Sequence, residues 1–480
     1  MLTDTATSST ANAPAPRRWL TFGVLAATAA LTILDVSKVG VALPAIQETT
    51  GGSGSTVQFM LVGYTLAYAL FLLPSGRVGD LIPRKIVFLI GALLFVGASV
   101  VCALAPDIAW LVGGRLVQGA GAGILMPQVL GLIQRIFPAG ERAKPLAMLA
   151  AITSATSLFG PVLAGVVMEL VPSADSWRAL FWINVVVGAV VLPLAFRFIV
   201  EPPSVRISGF DTVGVLLLSP AIVLLIAPLS TISKTTPPAW WMLVAFLIGA
   251  AFAVAFFRHE VRRAKSGLQS LVDPLIFAYR HLTSGVFISG LMHAAGTAGT
   301  LIITIALQQS AGQTALQTAL WMLPSAAAMI VGSIVVARMP QSRGYRLIAI
   351  GTGVGGAGLL AIALSFGSVP SATLPLVVCV LLIVNSLGSA FSGPSNQART
   401  LAEVPEHRAS IAASMIQFSQ RIGSAIGMAI ALIVYYGWEY ETVPLTGQPT
   451  LGPTVAIAIT AGFLIIASII ASLDREKRRS

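Results

Sequence analysis

Charge is scarce in this sequence. Of 480 residues only 10% are Asp, Glu, Lys or Arg, against 56% that are apolar; soluble domains carry about 25% charged residues. That shortage excludes an ordinary soluble fold and points to a chain whose solvent is lipid. Cysteine is nearly missing. Cys102 and Cys379 both fall in apolar runs, too few for a disulfide framework, and read as buried thiols. The Cys/His spacings of a metal site are absent, so neither a metal nor a cofactor is expected. Acids are rarest where they cost most: Asp35 is the one acid deep inside an apolar segment. A cluster of catalytic groups is therefore missing too, and the chain does not read as an enzyme.

What is present is organised around Leu31-Thr-Ile-Leu-Asp35-Val-Ser-Lys38-Val-Gly-Val-Ala-Leu-Pro44. This stretch closes an apolar run from Trp19, about 25 residues long and enough to cross a hydrocarbon core of about 30 Å as a helix. Asp35 and Lys38 are three apart and share a helix face. At about 1.5 Å per residue, Asp35 lies roughly 12 to 14 Å from the Pro44 end. A carboxylate at that depth costs at least about 2.5 kcal/mol unless paired or wetted. Asp35 is thus the leading candidate for a proton or cation carrier in a transport site.

Fourteen apolar spans follow from the pattern: 19–43, 57–75, 86–105, 109–129, 146–168, 179–198, 210–230, 239–257, 281–306, 313–336, 346–366, 372–394, 410–436 and 452–473. With the N-terminus cytoplasmic, 24 of the 29 Lys and Arg fall on the inner side. Only Arg178 and Lys234 fall outside, and Lys38, Arg115 and Arg421 lie within spans. This asymmetry predicts both termini in the cytoplasm. The net charge of +11 therefore orients the chain in a bilayer and is not a nucleic-acid face. Residues 1–18 read as a disordered cytoplasmic tail, and the long first run argues against a cleaved signal peptide.

Several motifs sit on this frame. The second span ends in Pro74-Ser-Gly76-Arg77-Val-Gly79-Asp80-Leu-Ile-Pro83-Arg84-Lys85, a tight turn. Its charge cluster reads either as a latch between helix bundles or as a topological anchor. The fourth span opens Leu111-Val-Gly-Gly114-Arg115-Leu-Val-Gln118-Gly119-Ala-Gly121-Ala-Gly123, whose small residues allow close helix approach. Arg115 lies roughly 9 Å deep and has two options: pairing with Asp35, or extending its head to the surface. Gly160-Pro161, with Gly165 a turn on, predicts a kink in the fifth span. Trp177 to Asn184 reads as an external turn with interfacial aromatics.

The chain also repeats itself. Met126-Pro127-Gln128 and Pro138-Ala-Gly-Glu-Arg142-Ala recur as Gly393-Pro394-Ser395 and Pro405-Glu-His-Arg408-Ala, the prolines offset by 267. Two related halves in parallel orientation are a transporter architecture. The domains expected are a six-helix bundle over 19–200, two inserted helices with a cytoplasmic linker over 201–280, a second six-helix bundle over 281–473, and a basic tail over 474–480. In the second half His293 and Arg421 are polar near mid-span. With Gln118, Asn385 and Gln417 they are candidates to line a substrate cavity, against the blander role of joining helices. Asn396 and Gln420 add further uncharged polar groups.

These residues resemble the major facilitator superfamily, specifically its fourteen-helix drug–proton antiporter branch. Arg115-Leu-Val-Gln118-Gly119-Ala-Gly121 matches that family's Arg-x-x-Gln-Gly-x-Gly motif. Gly76, Asp80, Arg84 and Lys85 match its motif between helices two and three, with Leu81 and Pro83 in place of a basic residue and a glycine. Gly160-Pro161 is similar to its helix-five antiporter motif, with Val166 where a second glycine is common. Leu34-Asp35 and Val41-Ala-Leu-Pro44 match the helix-one motif, with Lys38 and Gly40 in place of an apolar residue and Asn. The resemblance implies an all-α membrane protein of two six-helix bundles plus two extra helices, in the cytoplasmic (inner) membrane and monomeric. It implies Asp35 as the proton-coupling acid, Arg115 as its partner, and alternating access. The expected activity is proton-coupled efflux of lipophilic neutral or monovalent cationic drugs, dyes or antibiotics, because no second buried acid remains for a dication. The alternatives are an exporter or flippase of an endogenous metabolite or lipid, and a channel.

Overall fold

A lipid-embedded chain has to close its backbone hydrogen bonds internally, and the computed structural model does so with helices alone among its described residues. These are residues 15–474 apart from 172, 201–208, 233–238, 269, 273, 340–343, 405 and 439–450. Most of the expected tails, Lys234 and Pro405 of the second repeat lie outside them.

The first half is α1 (Ala15–Thr50), α2 (Gly54–Leu81), α3 (Arg84–Ala103), α4 (Ile108–Ile136), α5 (Ala143–Leu170) and α6 (Trp177–Phe198). Then come α7 (Thr212–Ile226) and α8 (Trp240–Lys265). The second half is α9 (Arg280–Ser310), α10 (Ala315–Ala337), α11 (Gly344–Ser368), α12 (Leu374–Ala402), α13 (Glu406–Trp438) and α14 (Leu451–Leu473). Thirteen helices are long and apolar enough to span a membrane, and the two bent segments of α5 together make a fourteenth. Several starts are capped by side chains: Ser53 accepts from Thr56 N, Asp107 from Ala109 N and Trp110 N, and Thr314 forms a capping box with Gln317.

The two halves pack alike, as the internal repeat requires. In the first, α2 lies on α4, α3 on α4 and α6, and α1 on α5; in the second, α10 lies on α12, α11 on α12 and α14, and α9 on α13. The inserted α7 and α8 pack on each other, and α7 with the short 3-10 turn after it reaches α2 and α13. Little of α8 is buried, as expected for a helix facing lipid.

The halves meet through α2 with α13 and α5 with α10. Gly165 is why the second pair fits: a Cβ there would stand 2.6 Å from Leu316 Cα. Toward the face opposite the chain ends, three hydrogen bonds cross between halves. Gln308 Nε2 donates to Val41 O at 3.2 Å, Gln58 Nε2 to Ala429 O at 3.0 Å, and Tyr436 OH to Gln47 Oε1 at 3.2 Å.

Three sequence expectations change. Pro44 does not end the first helix; α1 continues to Thr50, and the Thr49 and Thr50 hydroxyls bond back to the Ala45 and Ile46 carbonyls. The stretch from Trp177 is not a surface turn but the buried start of α6, with Trp177 and Phe181 fully enclosed and Trp177 Nε1 donating to Thr49 Oγ1 at 2.9 Å. The α8 helix carries the basic run on to Lys265. The kink expected in α5 is present: segments 144–157 and 159–170 meet at 42°. Pro161 has no N–H for the carbonyl of Ser157, which lies at that break.

Candidate functional site

Asp35 sits near the middle of α1 with no exposed surface, and five helices supply its surroundings. From α4, Arg115 Nη1 donates to Asp35 Oδ2 and to Gln118 Oε1 at 2.6 Å. Gln118 Nε2 donates to Asp35 Oδ1 at 3.3 Å and to Ser99 Oγ of α3 at 2.7 Å. From α6, Asn184 Nδ2 donates to Asp35 Oδ1 at 2.6 Å and its Oδ1 accepts from Lys38 Nζ. Lys38 Nζ itself is 3.5 Å from Asp35 Oδ1. From α2, the Tyr64 ring lies under the Arg115 guanidinium at 4.0 Å.

The local sequence explains this convergence. Residues 35 and 38 lie on one face of α1, and residues 115 and 118 on one face of α4. Gly119 lets α4 close on α2, since a Cβ there would fall 2.2 Å from the Tyr64 carbonyl oxygen. Gly160 does the same for α5 against α1: its Cβ would fall 1.9 Å from Ser37 Oγ. The choice left open for Arg115 is thus resolved in favour of Asp35. One carboxylate faces two cations, so the cluster holds a net charge of +1 when all three are ionised. Amides at 118 and 184 satisfy the remaining lone pairs, the condition under which a buried ion pair is tolerable.

The other candidates are spread out. Gln118 belongs to the Asp35 cluster. Asn385 Nδ2 donates to Gly355 O at 2.9 Å and joins α12 to α11. Gln417 lines a crevice near the chain-terminal face with Gly76, Arg77, Asp80 and Arg84. His293 presents its ring to open space and bonds the Ser289 carbonyl through Nδ1 at 3.0 Å. Arg421 lies over the Tyr68 ring of α2 at 4.3 Å.

In the turn after α2, Asp80 accepts from Arg84 within its own half. Arg84 also donates to Pro127 O at 3.1 Å, and Lys85 to Phe196 O at 2.7 Å. The reach toward the second half comes from Arg77, which donates to Ser270 O in the segment before α9.

Sequence reasoning missed Asn184, Ser99, Tyr64 and Tyr68 as site residues. Asn184 had a signal, as a lone amide within the apolar α6 run. Tyr64 and Tyr68 had one as an i, i+4 pair on a helix that meets both halves. At the chain-terminal ends of α7 and α8, Asp211, His259 and Glu260 bring ligand-type atoms within 4.8 Å of one another. Arg263 Nε stands 3.4 Å from Asp211 Oδ2, so a cation already balances that group.

A polytopic bundle of two repeated halves, with a charge cluster enclosed in one and a seam between them, is a membrane carrier. The chain belongs to the Major Facilitator Superfamily, whose model matches residues 25–279; it is a multi-pass transport protein and not an enzyme. It is 30% identical over 432 residues to the "probable actinorhodin transporter" of Streptomyces coelicolor, covering 89% of this chain and 74% of that one. It is 27% identical over 462 residues to the tetracenomycin C resistance and export protein of Streptomyces glaucescens, covering 92% and 81%. Among solved structures, a bacterial homologue of the human lysosomal transporter Spinster superposes with a TM-score of 0.67 at 14% identity, over 96% of this chain and 97% of that one.

Proposed function

We propose that this transporter exports lipophilic compounds from the cytoplasm in exchange for protons, with Asp35 as the group whose protonation changes during the cycle. The observation that carries this reading is the complete burial of Asp35 between Arg115 and Lys38 in mid-helix. A proton arriving on Asp35 cancels its attraction for both cations. The cluster must then rearrange, and Ser99 and the two amides provide neutral partners while it does. The positive-inside asymmetry supports an orientation with the chain termini in the cytoplasm, and in that orientation the cross-half bonds at Gln47, Gln58 and Gln308 lie toward the external face.

The antibiotic resistance and export proteins among its relatives support efflux. Energetically the exchange is adequate. Each proton crossing 100 mV supplies about 2.3 kcal/mol, and each pH unit adds about 1.4 kcal/mol. The test is transport in proteoliposomes against a panel of lipophiles, with and without an imposed pH gradient. Gradient-driven accumulation that Asp35→Asn removes is expected; substrate movement indifferent to the gradient would point to a flippase on the same fold.

A further inference from the structure

Arg421 presents a problem of charge. It stands near the middle of the 33-residue α13, about 22 to 26 Å from its two ends at the rise of an α-helix. No acid answers it: among the described residues it makes no ion pair, and no carbonyl or carboxylate accepts from it. The one acid at this depth, Asp35, is already engaged by Arg115, Lys38, Gln118 and Asn184. One side of Arg421 is covered by the Tyr68 ring; the side chain remains partly exposed. Its polar neighbourhood is uncharged. Gln420 Nε2 bonds Ser289 Oγ at 3.1 Å, and the Thr297 and Ser424 hydroxyls pair at 3.0 Å.

A guanidinium held this way in the interior has five N–H donors in a fixed fork that matches a carboxylate or another planar anion. Leaving it permanently without a counter-charge is costly. The counter-charge that the fold lacks has to come from what enters the seam between the halves. Counting Lys38, Arg115 and Arg421 against Asp35, the interior carries +2 when all are ionised. A cationic cargo raises that to +3, whereas an acidic cargo lowers it to +1.

We propose that Arg421 is the docking point for an acidic group on the exported compound, so that the preferred cargo is a lipophilic weak acid rather than a lipophilic cation. This rests on the efflux reading and narrows it: the shortage of buried acid that disfavours dications disfavours monovalent cations as well. The same geometry ties cargo to coupling. Tyr64 and Tyr68 stand one turn apart on α2 with ring centroids 6.4 Å apart, Tyr64 under Arg115 and Tyr68 under Arg421. An anion that draws Arg421 off Tyr68 therefore acts on the helix that also supports the partner of Asp35.

The experiment uses one aromatic scaffold in three forms: a carboxylic acid, its methyl ester and the corresponding primary amine. Binding to the purified full chain is measured at a pH where the acid is ionised, and gradient-driven transport is measured in proteoliposomes. The wild type should bind the acid about tenfold to a hundredfold more tightly than the ester, the range of one charge-assisted hydrogen bond, with the amine weakest. In Arg421→Gln the acid-to-ester ratio should fall toward one, and Arg421→Lys should restore part of it. An amine bound as tightly as the acid by the wild type overturns the proposal, whatever the variants do. So does an acid-to-ester ratio unchanged in a folded Arg421→Gln protein. Failure of the efflux reading is separately visible: wild-type ester transport would then ignore the pH gradient.

Discussion

Replacing Asp35 by Asn removes the only negative charge from a fully buried cluster and strands Arg115 and Lys38 beside each other. Breaking a buried ion pair by deleting one partner costs about 3–5 kcal/mol. Here the Asn side chain retains the acceptor for Gln118 and some of the packing, so the loss is almost wholly electrostatic. Arg115 cannot discharge, whereas Lys38 can give up its proton. Asp35→Asn should therefore lower stability by about 3 kcal/mol or more, and adding Lys38→Met should recover about 1–2 kcal/mol by removing one stranded cation. Purified proteins in one detergent are compared by thermal unfolding. The same variants are reconstituted, with pH-driven accumulation measured against counterflow at equal pH. Accumulation should vanish in Asp35→Asn while counterflow persists. Wild-type stability in Asp35→Asn would refute the electrostatic account. Continued pH-driven accumulation by the Asp35→Asn, Lys38→Met protein would mean that the pair merely neutralises itself and that coupling resides elsewhere.

Gly165→Leu places a side chain where even a Cβ would stand 2.6 Å from Leu316 Cα; it should hold α5 and α10 apart and cut turnover about tenfold or more, measured with expression level controlled. Cysteines introduced as Gln47→Cys and Tyr436→Cys should cross-link through a short bifunctional reagent, stop transport and release it on cleavage; unimpaired transport by the cross-linked protein would contradict alternating access at that face. A cysteine at Ser53 should label from outside intact cells and one at Ala264 should not, and the reverse pattern would invert the topology. Asp211→Ala should destabilise the start of α7 by about 1 kcal/mol through loss of the capping bond from Gly214 N at 2.9 Å, with Asp211→Asn milder because Asn also caps. Burial pushes the Asp211 carboxyl up, but the Gly214 amide, His259, Glu260 and Arg263 outweigh it and hold it below the usual carboxylate range. Its contribution should thus be complete above about pH 4 and fade as pH falls further, read as hydrogen exchange in α7.

The sequence by itself determined the spans, because twenty apolar residues in lipid have no alternative to a helix. It determined the repeat, the kink at Pro161 and the importance of Asp35, since one acid in an apolar run is visible without coordinates. It also placed Arg115 at a compatible depth. What it left undecided was every contact that joins residues far apart in the chain. Asn184 looked like the tail of an interfacial turn until α6 was seen to begin buried and carry its amide between Asp35 and Lys38. The cluster around Asp80 could be read as a latch or as an anchor, and the structure adds that Asp80 pairs with Arg84 four residues on. Arg421 was one polar residue among several. Only the packing of α13 on α2 set it over Tyr68, with no ion pair to an acid among the described residues. Periodicity fixes which face of a helix is polar, but rotation and partner come from glycine-permitted approach, as at Gly119, Gly160 and Gly165, and that is a property of two helices at once.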